Sequence, residues 1–168
     1  MNSRSSTKDD SPGGSPPESS IKWDETQHLS PLRTKLCVPP QQSRWIVRSR
    51  LLKQMDEGFE RKLTLISAPA GFGKTTLLVD WVNKHKTPAA WFSVDKGDND
   101  PLHFLTYVIL GLQDIQADTG KAALTMLQSP QPPPIESILI NLINDVIRVP
   151  TNMALILDDY HSVDAKPI

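Results

Sequence analysis

The sequence predicts an α/β fold, a parallel sheet flanked by helices. A short apolar run, Leu63, Leu65 and Ile66, passes straight into a glycine-rich turn and a helix. A second, Met153-Ala154-Leu155-Ile156-Leu157, ends in Asp158-Asp159. The segments between them carry a helical period broken by prolines. Continuous apolar runs that alternate with helices are the mark of a parallel sheet covered on both faces.

The first run reads as a buried central strand over 63–67, followed by Ala68-Pro69-Ala70-Gly71-Phe72-Gly73-Lys74-Thr75-Thr76. Gly71 and Gly73 lack a Cβ, so the backbone there can take positive φ and turn its N–H groups around an anion. The run Ala70, Gly71, Phe72, Gly73, Lys74, Thr75, Thr76 is therefore expected to bind nucleotide phosphates. Lys74 sets an ammonium against the β and γ phosphates, Thr75 offers a hydroxyl to Mg²⁺, and the new helix adds its positive dipole end. The phosphate-loop pattern G-x-x-x-x-G-K-[ST] is met at Gly73-Lys74-Thr75, with Ala68 at its first position. The plainer alternative is a glycine-rich turn with an exposed lysine. The ordered coincidence of strand, glycines, Lys-Thr and helix favours phosphate binding.

The 168 residues amount to about one domain. A net charge of −1 gives no basic field for non-specific DNA binding. The single cysteine, Cys37, cannot form an internal disulfide, and no apolar stretch reaches the length of a membrane span. A cytoplasmic protein with no membrane partner is expected.

Residues 1–30 form a polar tail, almost free of apolar side chains up to residue 22, and are expected to be disordered because burial cannot offset their ordering entropy. Residues 31–168 make up the domain. Between Pro31 and Met55 stand Arg33, Lys35, Arg44, Arg48, Arg50 and Lys53 with no acidic residue among them. Such runs are mostly solvated faces, but this one contains an apolar piece and a short amphipathic helix that Gly58 is expected to stop. Ile46, Val47 and Arg48 either line an adenine pocket or pack the first helix.

The helix after the loop carries Leu77, Leu78, Trp81 and Val82 on one side and ends before Pro88. A strand over 89–95 brings Asp95 to its C-terminal end, where open α/β sheets place their ligands. Asn99 or Asp100 is the N-cap of a helix starting at Pro101. An aspartate there would otherwise position water or Mg²⁺. A further helix over 121–128 precedes the proline-rich connection 129–134. Ile135, Ile138, Leu139, Leu142, Ile143, Val146 and Ile147 then mark the next helix.

The second apolar run has the form of a Walker B strand. Asp158 is expected to bind Mg²⁺ beside Thr75, and Asp159, pointing elsewhere, to orient or deprotonate the attacking water as general base. Asp159 and Lys74 are thus the candidate catalytic residues. Tyr160 and His161 read as capping or packing residues at the strand end.

Together, Thr34-Lys35-Leu36, Val47 to Leu52, Leu63 to Leu78, Trp91 to Asp95 and Leu155 to His161 resemble the N-terminal ATPase domain of LuxR-family transcriptional regulators of the maltose-regulator type, which belong to the STAND class of P-loop NTPases. The resemblance covers about residues 34 to 162, and the family shares Ala68. It implies ATP and Mg²⁺ as cofactors, ATP/ADP exchange with slow hydrolysis as a switch, and nucleotide-dependent self-association. In full-length relatives it implies DNA binding through a C-terminal helix-turn-helix, which these residues do not contain. The sheet order it implies places a strand from later in the sequence between the phosphate-loop strand and the Walker B strand, so an incomplete sheet is expected. A non-hydrolysing nucleotide-binding remnant and a small P-loop phosphotransferase are the alternatives.

Overall fold

The computed structural model describes residues 31–41 and 46–164. The expected disordered tail over 1–30 lies outside them. β1 (Ala89–Ser93) and β2 (Ala154–Asp158) pair in parallel, with Ala89 opposite Ala154 and Ser93 opposite Asp158. The crossover between them is long, as parallel pairing requires. It comprises α3 (Pro101–Ile115), α4 (Lys121–Leu127) and α5 (Ile135–Ile147).

Alternate residues of the sheet feed two cores, because successive side chains point to opposite faces. Ala90, Phe92 and Val94 pack with Leu105, Ile109 and Leu112 of α3, Ala123 of α4, and Ile138 and Leu142 of α5. On the other face Trp91 and Ile156 pack with Leu52 and Met55 of α1 (Ser49–Phe59) and with Leu77, Val79 and Trp81 of α2 (Lys74–His85). The result is a sheet between two helical layers.

Local chemistry sets the helix ends. Asp100 is the N-cap of α3, its carboxylate accepting from the His103 N–H at 2.8 Å, with Pro101 in the first turn. Gly58 does not stop α1, which continues to Phe59. Thr64 Oγ1 donates to the Gly58 carbonyl at 2.9 Å, and a Cβ on Gly58 would stand 2.6 Å from that oxygen. Close approach of the next segment, rather than helix termination, is what demands glycine here. α2 is buried on a wider arc than its leucine pattern suggested, since Val79 and Asp80 are also inside. Asp80 is satisfied by Gln41 Nε2 at 2.8 Å. α5 packs beside α4 and sends Ile138 and Leu142 into the core that α3 forms with the sheet, while Leu139, Ile143 and Ile147 of the same apolar pattern face outward.

The expected central strand is where structure and expectation part. Residues 63–67 form no ladder with any strand among the described residues. Leu63 and Leu65 are each 82% exposed, whereas Ile66, the residue after Leu65, packs against the α1/α2 core. With no neighbouring strand to hold a second layer over it, the segment is covered on one side only.

Candidate functional site

The glycine turn and the end of β2 meet across a cavity of about 430 Å³. Ala70, Gly71, Gly73, Lys74, Thr75 and Thr76 line one wall, and Asp159, His161 and Ser162 the other. Gly71 and Gly73 have φ of +80° and +74°, conformations that a side chain would strain. Gly73 is the N-cap of α2, whose first backbone bond runs from the Leu77 N–H to the Gly73 carbonyl at 3.0 Å. The N–H groups of Lys74, Thr75 and Thr76 precede that bond and stand at the cavity, where the positive end of the helix dipole adds to them.

Lys74 Nζ folds back on its own loop, donating to the carbonyls of Ala68 at 3.0 Å and Pro69 at 3.3 Å. An ammonium has three donors, so one remains for an anion in the cavity. Below the loop, Thr75 Oγ1 donates to Asp158 Oδ1 at 3.1 Å, joining residues 83 positions apart. The same carboxylate oxygen accepts from the Asp159 N–H at 3.1 Å.

Asp158 is buried, and that burial raises its pKa above the ordinary 3.8. The Asp159 charge pushes the same way, while the Thr75 hydroxyl, the Asp159 amide and Lys74 pull against them. Burial that disfavours the ionised form is met both at functional carboxylates and in structural networks. Asp159 turns away from it, because its backbone is left-handed at φ +56° and its side chain is half exposed, 3.8 Å from His161 Nδ1. A non-glycine residue in that region carries backbone strain, and such strain collects at functional sites.

Of the other predicted site residues, Phe72 is exposed and outside the cavity lining, but its carbonyl accepts from Arg48 Nη1 at 2.7 Å. Arg48 thus reaches the loop from the start of α1. Ile46 and Val47 are exposed and line no part of the cavity, and neither belongs to the core around α1. His161 and Ser162 do line it, whereas the sequence reading favoured capping or packing at the strand end for His161. Their signal was their place just after two aspartates at a strand end. No group of three or more His, Cys, Asp or Glu side chains among the described residues is arranged to hold a metal by itself. No helix among the described residues is long and apolar enough to cross a membrane.

No family model matches the chain. It is similar to the HTH-type transcriptional regulator MalT of Cronobacter sakazakii, 34% identical over 130 residues, which are 77% of this chain and 14% of that protein. The MalT regulators of two Klebsiella pneumoniae strains are each 33% identical over 131 residues, 78% of this chain and 14% of theirs. The chain therefore spans about a seventh of the length of the curated relatives it matches. Over that stretch, which includes most of the described fold, it is a relative of the HTH-type transcriptional regulator MalT.

Proposed function

We propose that this chain is an ATP-binding switch module of a LuxR-family regulator of the STAND class, with the fold of a P-loop NTPase. The observation that carries the reading is the 3.1 Å contact between Thr75 Oγ1 and Asp158 Oδ1 beneath a glycine loop with two positive φ values. A hydroxyl at the start of a helix and a buried carboxylate at the end of a strand are the two protein oxygens that a phosphate-bound Mg²⁺ requires, and water and phosphate would complete its shell. The absence of a multi-carboxylate cluster among the described residues fits that kind of site.

In this reading the loop amides and Lys74 hold the phosphates, Thr75 and Asp158 hold Mg²⁺, and Asp159 orients or deprotonates the attacking water. Bound ATP supplies the transferable phosphoryl group, and Mg²⁺ offsets charge on it. Arg48 fixes the loop by its bond to the Phe72 carbonyl. Ala70, Gly71, Gly73 and Thr76 bring backbone to the phosphates, and Val47 and Phe72 would meet the nucleotide at the edge of the site. ATP/ADP exchange would govern self-association in the cytoplasm, and DNA binding would belong to other parts of a longer regulator, as the relatives' name suggests.

The test is titration of fluorescent ATP into the parent and into Lys74→Ala. Loss of a charge-assisted contact costs about 1.5–3 kcal/mol, or roughly one to two decades of affinity. Equal affinity of the two proteins would reject the phosphate-loop assignment.

A further inference from the structure

Behind the carboxylate wall lies a charged cluster that the proposed chemistry does not use. Lys35, 12% exposed, donates to both oxygens of Asp98 at 2.8 and 2.7 Å and stands 2.9 Å from Asp95 Oδ2. Its ammonium also lies 5.0 Å from the centre of the Tyr107 ring. Asp98 is completely buried and accepts from the Asp95 N–H at 2.8 Å, while Asp95 Oδ1 accepts from the Gly97 N–H at 2.8 Å. The short 3-10 turn Lys96–Asn99 is therefore closed by reciprocal caps, and one cation from the segment before α1 pins both capping carboxylates.

The outer side of the same turn holds the cavity wall. Asn99 Oδ1 accepts from the Asp164 N–H at 2.9 Å. Between Asp159 and Asp164 the chain is a single turn, with the Ser162 N–H on the Asp159 carbonyl at 2.9 Å and the Val163 N–H on the Tyr160 carbonyl at 3.2 Å. Asp159, His161 and Ser162 of that turn face the cavity. We infer that Lys35 is a positioning residue for this wall, clasping through Asp95 and Asp98 the turn from which, through Asn99, the wall is hung. The functional part of the inference rests on the nucleotide reading; the mechanical part does not.

Lys35→Met alone strands the buried Asp98 charge and can unfold the chain. The informative variant is Lys35→Met with Asp98→Asn, which removes both charges, beside Asn99→Ala, which cuts only the link to Asp164. Melting temperature, amide hydrogen exchange of the free chain and ATP titration are measured on each. The paired variant should regain most of the stability lost in Lys35→Met. Both it and Asn99→Ala should still exchange about tenfold faster at Ser162, Val163 and Asp164, with α5 as protected as in the parent. ATP affinity should fall about three- to tenfold in both. A merely structural role would restore exchange and affinity together with stability. Parental exchange at Ser162 to Asp164 in both variants would overturn the inference, as would ATP affinity unchanged in variants of a parent that binds ATP. A parent that binds no ATP, while the local exchange responds, would refute the nucleotide reading and leave the clasp standing.

Discussion

Asp158 and Asp159 stand at the end of β2, a strand paired along its whole length with β1, whose Trp91 and Phe92 are buried on opposite faces. The glycine loop facing them follows residues 63–67, which pair with no strand among the described residues and leave Leu63 and Leu65 in solvent. In sequence the two supports look alike, since each is a short run of apolar residues. What separates them is neighbours. β1 has a partner strand and a helical layer on each face, while 63–67 has cover only where Ile66 meets α1 and α2. One wall of the cavity is thus set by a core along the whole of its strand; the other is held by the core only through α2, and its loop by turn geometry, by the Lys74 bonds to Ala68 and Pro69 and by the Arg48 bond to Phe72.

The comparison is most open to attack through the core. Phe92→Ala should cost about 3–5 kcal/mol, because it empties a site packed by Phe104, Tyr107 and the α3 leucines. Leu65→Ala, at an exposed position, should stay within about 0.5 kcal/mol. Urea unfolding of the two variants measures both, and comparable losses would mean that 63–67 is buried in solution.

A smaller effect concerns the buried carboxylate. Because the pKa of Asp158 is raised in the folded protein, its favourable contribution is present in full below the unfolded value of 3.8 and is lost as pH rises through the folded value. At neutral pH its ionised form is a cost. Asp158→Asn should therefore make the free protein more stable at pH 7, with the gain vanishing below about pH 4. The same change should weaken Mg²⁺-dependent ATP binding about ten- to hundredfold. Thermal melting across pH and ATP titration with and without Mg²⁺ follow the two signs. A variant less stable than the parent at pH 7 would make Asp158 a structural strand-end group.

A further, local effect lies in the loop. Gly73→Ala should cost about 1–2 kcal/mol for its left-handed backbone. The added methyl would also stand 3.0 Å from Arg48 Nη2 and disturb the contact that anchors the loop. Urea unfolding of this variant, alone and in an Arg48→Ala background, separates the two costs. A gain from removing Arg48 identifies the steric part.

Much of the site was legible beforehand because its chemistry is local. Glycines that allow positive φ, a Lys-Thr at a helix start and an apolar run ending in two aspartates are each specified over a few residues. The start of α3 followed from Pro101, and the extent of α5 from its period between the proline run and Pro150, for the same reason. Where the reading failed, the deciding partner lay far along the chain. Gly58 was read as a helix stop, but its carbonyl and its missing Cβ answer to Thr64. Lys35 was read only as one charge of a basic run, and Asp98, 63 residues on, holds its partly buried side chain in an ion pair.

By itself, the sequence determined the α/β class of fold, the two paired strands and the helices between them, and which residue types stand at the glycine turn and the strand end, since propensity, period and backbone freedom are properties of short stretches. Only the tertiary structure decided which apolar runs are buried, that Lys35 pairs with Asp95 and Asp98, and that His161 and Ser162 share a wall with Asp159. Burial, ion pairing and side-chain direction depend on what packs alongside, and the surroundings of a residue are drawn from the whole chain.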